Sequence, residues 1–214
     1  MAVTPLQKTL GLCLAFVAAV VGMFVYSVTR ERVPSLDELR EQGIFILPEP
    51  RALGDFQLET HLGDGFGAED LEDRWSFVFF GFTNCPDVCP TTLSVMAQAE
   101  RRLLASGAAF SGVLVSVDPE RDDRESLAVY VRAFSERFLG VRGELLELAK
   151  FARAVHVVFA KVPDSRSGTE GDFTVDHSGN IVVIDPRGHY HGFIKMPHKV
   201  ETLVAAFRYL RSVS

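Results

Sequence analysis

Cys85 and Cys89 lie in Gly81-Phe82-Thr83-Asn84-Cys85-Pro86-Asp87-Val88-Cys89-Pro90, directly after the apolar run Phe77-Val78-Phe79-Phe80. That run is short, aromatic and β-branched, and it reads as a buried strand. Pro90 to Leu104 reads as a helix, so the two thiols fall where a strand ends and a helix begins. Unpaired N–H groups at a helix start favour thiolate over thiol. Thiolates exchange disulfides and bind soft metals. On a helix, residues i and i+4 have Cβ atoms roughly 5–6 Å apart, whereas a disulfide prefers about 3.8 Å. A loop-to-helix junction can adjust, so the spacing is compatible with a reversible disulfide and with a metal held between two sulfurs. The competing reading is a pair of buried structural cysteines. Polar Asn84 and Asp87 and two prolines argue instead for an exposed turn.

Several elements must hold that junction in place. Trp75 to Phe82 reads as a first central strand, Thr91 to Leu104 as a helix, and Gly112 to Val117 as a second buried strand closed by Asp118-Pro119. Two buried strands joined by a helix imply a parallel βαβ unit. Ser126 to Phe138 and Glu144 to Ala154 read as helices, His156 to Val162 as a strand, and Pro163 to Gly171 as a polar loop. Ile181 to Ile184 and Tyr190 to Ile194 form a hairpin about Asp185-Pro186-Arg187-Gly188. Val200 to Leu210 reads as a last helix, with Leu203, Val204, Phe207 and Leu210 on one stripe. Phe56 to Thr60 alternates as an edge strand would. This order predicts the α/β class: a thioredoxin-like mixed sheet flanked by helices. It puts the thiols at the carboxyl end of the first central strand, where open α/β sheets carry their sites.

The chain has 214 residues, 47% of them hydrophobic, and a formal net charge of -6. That is enough for one membrane segment and one globular domain. No basic stripe appears, which argues against a nucleic-acid partner. Thr9 to Thr29 carries no charged side chain and is mostly Leu, Val, Ala, Phe and Gly. About 20 such residues span a bilayer as a helix. A cleaved signal peptide has a shorter apolar core, about 7–15 residues, so a retained anchor in membrane lipid is expected. Cys13 follows Leu12 rather than a small residue and reads as a membrane-buried apolar side chain. The expected organisation is a tail at 1–8, a transmembrane anchor at 9–29, a linker at 30–50 with a short helical or extended piece, and a globular domain at 51–214. Lys8 before the anchor, against Arg30, Arg32 and Arg40 after it, slightly favours a cytoplasmic domain.

Phe80-Gly81-Phe82-Thr83-Asn84-Cys85-Pro86-Asp87-Val88-Cys89-Pro90-Thr91-Thr92-Leu93 resembles the signature of the Sco (SenC) copper-chaperone family. Ser116-Val117-Asp118-Pro119-Glu120-Arg121-Asp122 resembles its second motif, and Val175-Asp176-His177-Ser178 with Ile184-Asp185-Pro186-Arg187-Gly188 its third. The three stand in family order over roughly Leu53 to Leu210, and together they are specific where a lone CxxxC is weak. Two places depart from the pattern: Asp123, where Thr is usual, and Met196-Pro197-His198 before the last helix. The resemblance implies one copper ion per chain, bound through Cys85, Cys89 and His177. Thiolates favour Cu(I), and imidazole suits either oxidation state. In thioredoxins a proline faces the cysteine pair from the segment entering the equivalent strand; here Asp176-His177-Ser178 occupies that stretch. Asp118 and Asp176 are candidates to orient His177 or tune the thiols, with a cap or turn role as the alternative for Asp118. Arg121 and Asp122 read as an exposed charged loop. His61, His156, His189, His191 and His198 read as solvated or packing residues.

The role so implied is that of a metallochaperone acting stoichiometrically rather than an enzyme. It would deliver copper to the dinuclear copper centre of cytochrome c oxidase subunit II. The resemblance places it as a single-pass protein of the cell inner membrane with its domain on the periplasmic side, opposite to the charge count. Only the dithiol can bind copper, since a disulfide offers no thiolate, so a thiol reductant is an expected partner. The alternative is a membrane-tethered thiol–disulfide oxidoreductase acting on the oxidase subunit, which would not need His177. A peroxidase of thioredoxin-like fold fits less well: Thr83 before Cys85 echoes such sites, but the upstream proline is missing.

Overall fold

The computed structural model describes residues 5–29, 33–163 and 173–213, with side chains over 11–27, 33–160 and 178–213. It divides into two compact units, residues 1–33 and 34–214. The first contains α1 (Pro5–Thr29), on which Leu12, Phe16, Met23 and Phe24 are exposed. Among the described residues no helix is long and apolar enough to cross a membrane. The span expected at 9–29 includes positions whose side chains lie outside the described residues.

The second unit opens with α2 (Leu36–Glu41), started by a capping box in which the Glu38 N–H donates to Ser35 Oγ and the Ser35 N–H to Glu38 Oε2. β1 (Ile44–Ala52) follows. The stretch read as a linker with a short helical or extended piece therefore contains one of each. Next come β2 (Leu58–Thr60), β3 (Gly65–Phe66), β4 (Ser76–Gly81), α3 (Val88–Leu104) and β5 (Ser111–Ser116). After these run α4 (Arg124–Arg132), β6 (Leu139–Arg142), α5 (Leu145–Ala154), β7 (Phe159–Pro163) and β8 (Phe173–His177). The chain closes with β9 (Ile181–Ile184), β10 (His189–Ile194) and α6 (Val200–Val213).

Eight strands form one sheet in the order β1-β10-β9-β4-β5-β6-β2-β3, and β7 pairs β8 in a separate ribbon. β4, β5 and β6 are parallel, and the remaining pairs are antiparallel. This is the expected α/β, thioredoxin-like mixed sheet flanked by helices. Every residue of β4 is buried, as its unbroken apolar run requires of a strand covered on both faces. Phe77, Phe79 and Phe80 lose all solvent contact, each contributing about 1.5–3 kcal/mol of burial. β2 is not an edge strand; it lies between β6 and the two-residue β3. α4 ends at Arg132, short of Phe138, and the chain uses the next residues to enter β6.

One feature carries the chain into the ribbon that bears His177. α5 ends with the Val157 N–H donating to the Ala152 carbonyl and the His156 N–H to that of Arg153. His156, at φ 56, takes the left-handed position that ends such helices. β7 leaves from this reversal and pairs with β8, Phe159 opposite His177.

Candidate functional site

β4 ends at Gly81, and the chain turns before α3 starts at Val88, earlier than Pro90, so that Cys89 lies in the first helical turn. Asp87 stands at the N-cap, but its side chain makes no capping bond. The Cys89 N–H donates instead to the Cys85 sulfur at 3.4 Å. Cys85 thus caps the helix with sulfur, a place where the positive end of the helix favours thiolate. Asn84, Pro86 and Asp87 form the exposed turn expected there; Cys85 is half-buried behind them, and Cys89 is fully buried. No disulfide joins the two. Hydrogen bonding to Cys85 and then burial push the Cys89 thiol far above its ordinary value. Negative charge at Cys85 and Asp122 adds to this, and a backbone hydrogen bond at Phe82 opposes it. Cys89 therefore keeps its proton, while Cys85 is the more accessible of the two sulfurs.

Gly81 makes room for this arrangement. A Cβ there would lie 3.0 Å from Cys89 Sγ, 3.0 Å from Phe79 Cε1 and 3.2 Å from Leu114 Cδ1. Gly81→Ala is expected to cost about 1–3 kcal/mol by overpacking, read as a lower denaturant midpoint at unchanged slope. An unchanged midpoint would mean that the sulfur gives way freely.

Asp122 corrects the sequence reading. Expected in an exposed loop, it is 1% exposed. β4 and β5 run in parallel register with Gly81 opposite Ser116, so the segments leaving them emerge together. Ser116 Oγ donates to Asp122 Oδ2 at 2.6 Å. Across the gap, Thr83 donates its N–H to Oδ2 at 3.1 Å and its hydroxyl to Oδ1 at 2.5 Å. The carboxyl group thereby ties the cysteine loop to the end of β5. Arg142 fastens the same loop from β6, with Nε on the Asp122 carbonyl at 2.8 Å and Nη2 on that of Pro119 at 2.9 Å. Asp118 is fully buried and fills the turn role: its carbonyl accepts the Arg121 and Asp122 N–H groups, and its carboxylate pairs with Arg121.

Tyr130 of α4 was not singled out by sequence. Its hydroxyl is buried with no hydrogen-bond partner among the described residues. Burial first, then the charges of Cys89, Cys85 and Asp122, hold its pKa above the ordinary tyrosine value. The phenol therefore stands within electrostatic reach of the dithiol. Beside it, Thr83, Ser126, Val129 and Tyr130 line part of an open depression of about 450 Å³.

His177 ends β8, and its side chain lies outside the described residues, as does that of Asp176. The backbone around it is fixed. Next to the Phe159–His177 pair, the Ser178 N–H donates to the Val158 carbonyl at 3.0 Å and the Val158 N–H to Ser178 Oγ at 3.2 Å. Among the described residues, no group of three or more His, Cys, Asp or Glu is arranged to hold a metal ion.

Residues 47–211 match the SCO1/SenC family model. The chain belongs to the SCO1/SenC family. It is 33% identical over 165 residues to the mitochondrial protein SCO1 homolog of Homo sapiens, a match covering 76% of this chain and 53% of that protein. The chain thus spans about half the length of that relative. Among solved structures, Arabidopsis thaliana ScoI with copper bound is 30% identical at a TM-score of 0.68, covering 74% of this chain and 98% of that one. Yeast Sco1 with copper bound is 28% identical at a TM-score of 0.69, covering 77% and 91%.

The two departures from the SCO1/SenC pattern have structural roles. Asp123 caps α4: its Oδ1 accepts the Ser126 N–H at 2.7 Å, a task a threonine also performs. His198 donates from Nε2 to the Gly179 carbonyl at 2.8 Å. The other histidines are also occupied in the framework. His61 Nδ1 accepts the Gly140 N–H, His156 Nε2 accepts from Arg51, and His191 lies 3.4 Å from Asp185 and edge-on to Trp75. His189 is half-buried on β10.

Proposed function

We propose that this chain is a membrane-tethered copper carrier in which the sulfurs of Cys85 and Cys89 and the imidazole of His177 hold one copper ion. The observation that carries the reading is the sulfur-capped helix: a half-buried Cys85 accepting the N–H of a fully buried Cys89 at the helix start. Two sulfurs and one imidazole suit Cu(I), and three ligands leave a position open for a recipient's donor. Relatives solved with copper bound support the metal.

The recipient proposed is the dinuclear copper centre of cytochrome c oxidase subunit II. Residues 9–29 would anchor the chain in the inner membrane lipid, with residues 51–214 forming the domain on the periplasmic side. The redox state of the pair gates loading. When an oxidant such as a partner disulfide takes two electrons and two protons from the dithiol, the disulfide closes and leaves no thiolate for the metal. A thiol reductant must return the pair to the loadable form.

One observation favours a second reading, thiol–disulfide exchange. A more accessible sulfur backed by a buried protonated one is the arrangement of an attacking and a resolving thiol. His177→Ala separates the two. The carrier reading expects copper affinity to fall at least ~100-fold while the reduced protein still exchanges with a small disulfide at its original rate. Unchanged copper affinity in the variant would reject His177 as a ligand and favour the oxidoreductase.

A further inference from the structure

We infer that His198 is a positioning residue for the copper-bearing end of β8, acting through the Gly179 carbonyl; this rests on the carrier reading above. Residues 177–181 are a short bridge between two sheets. His177 pairs with Phe159 in the β7–β8 ribbon, and Ile181 begins β9 in the main sheet. Between them, Ser178 is fastened to Val158 by the two hydrogen bonds given above. Gly179 is held from the other side. The His198 ring, half-buried before α6, reaches its carbonyl at 2.8 Å. Met196 lies over the same residue, so that a Cβ at Gly179 would come within 2.5 Å of its Cε and 2.7 Å of its Sδ.

A carbonyl oxygen only accepts, so Nε2 of His198 carries the proton and donates. Nδ1 is then the lone-pair nitrogen, and it is buried with no hydrogen-bond partner among the described residues. A histidine held in one tautomer on Gly179 acts through a residue two positions along the chain from His177. Its effect is to restrict where the ribbon can carry His177 relative to the main sheet, whose β4 leads into the turn and helix that bear the two cysteines. Fixing a ligand's backbone lowers the entropy that must be lost when it closes on the ion.

The test compares His198→Leu, which removes the donor, with His198→Gln, whose amide can restore an N–H to the carbonyl. His198→Asn, too short to reach Gly179, replaces the leucine variant if that fails to fold. In copper-free protein, amide exchange at Ser178 is expected to quicken about tenfold in the donorless variant, while Val182 in β9 stays protected. The copper-loaded variant is expected to release Cu(I) to a chelator about tenfold faster than the parent, with glutamine restoring most of the difference. Alkylation of Cys85 in the copper-free variant should be unchanged. Parent-like copper release and Ser178 protection in the donorless variants would overturn the inference, as would an equal loss of protection at Val182. His177→Ala distinguishes the premises. Immediate copper loss there with parent-like release in His198→Leu overturns this inference alone, whereas retained copper in His177→Ala overturns the carrier reading and this inference with it.

Discussion

Asp122→Ala is expected to destabilise the domain by about 2–4 kcal/mol, because one buried and two part-buried donors lose their acceptor at up to roughly 1–3 kcal/mol each, partly relieved by water and relaxation. The donors are the Thr83 N–H, the Thr83 hydroxyl and the Ser116 hydroxyl. Against a typical total stability of about 5–15 kcal/mol, that is a large fraction. The damage is also local. Thr83 opens the turn that presents Cys85, so the cysteine loop loses its tie to β5. Thr83→Val, which removes the hydroxyl but keeps the N–H, should cost only about 1 kcal/mol. Urea denaturation of the reduced domain measures both. An Asp122→Ala midpoint within 1 kcal/mol of the parent would mean that the carboxyl is not the tie described.

The second large effect is a difference between the two thiols. Cys85 is half-buried at the helix start, whereas Cys89 is fully buried and held protonated. Alkylation needs an accessible thiolate. In the reduced native domain near pH 8, a small alkylating reagent should therefore modify Cys85 about 100-fold faster than Cys89. Peptide mapping by mass spectrometry after timed quenching gives both rates. Comparable rates would remove the division between an accessible sulfur and a buried, protonated one. Cys85→Ser adds a check: Cys89 should stay slow in it, since burial persists after its hydrogen-bonding partner is changed.

The fold could be read where single elements carried their own signal. Phe77 to Phe80 is apolar without interruption, which marks a strand buried on both faces, and the helix after it follows from Leu93, Met96, Ala97 and Leu103 on one stripe. The short pieces were hidden. β6 is four residues with Gly140 in the middle, packed where a Cβ would press on Leu127, so its pattern carries little strand signal. β8 has meaning only through its partner β7. The placement of the thiols at a strand-to-helix junction followed from local sequence. The burial of Asp122 did not, because Glu120-Arg121-Asp122-Asp123 reads as a solvated charge run. Its burial depends on Thr83, 39 positions away, which only the parallel register of β4 and β5 brings near. The clue in the sequence was positional: both loops leave the carboxyl ends of neighbouring parallel strands. For His198 there was no clue, since Gly179 becomes its partner only once α6 is docked.

Copper is expected to bind this domain only when Cys85 and Cys89 are both thiols. The direct measurement is an anaerobic Cu(I) titration of residues 34–214, the compact unit that holds both sulfurs, in the dithiol and disulfide states against a competing chelator, with metal counted per chain. The account predicts one ion per chain for the dithiol and none retained by the disulfide. Equal binding by the two states, or none by the dithiol, would contradict it.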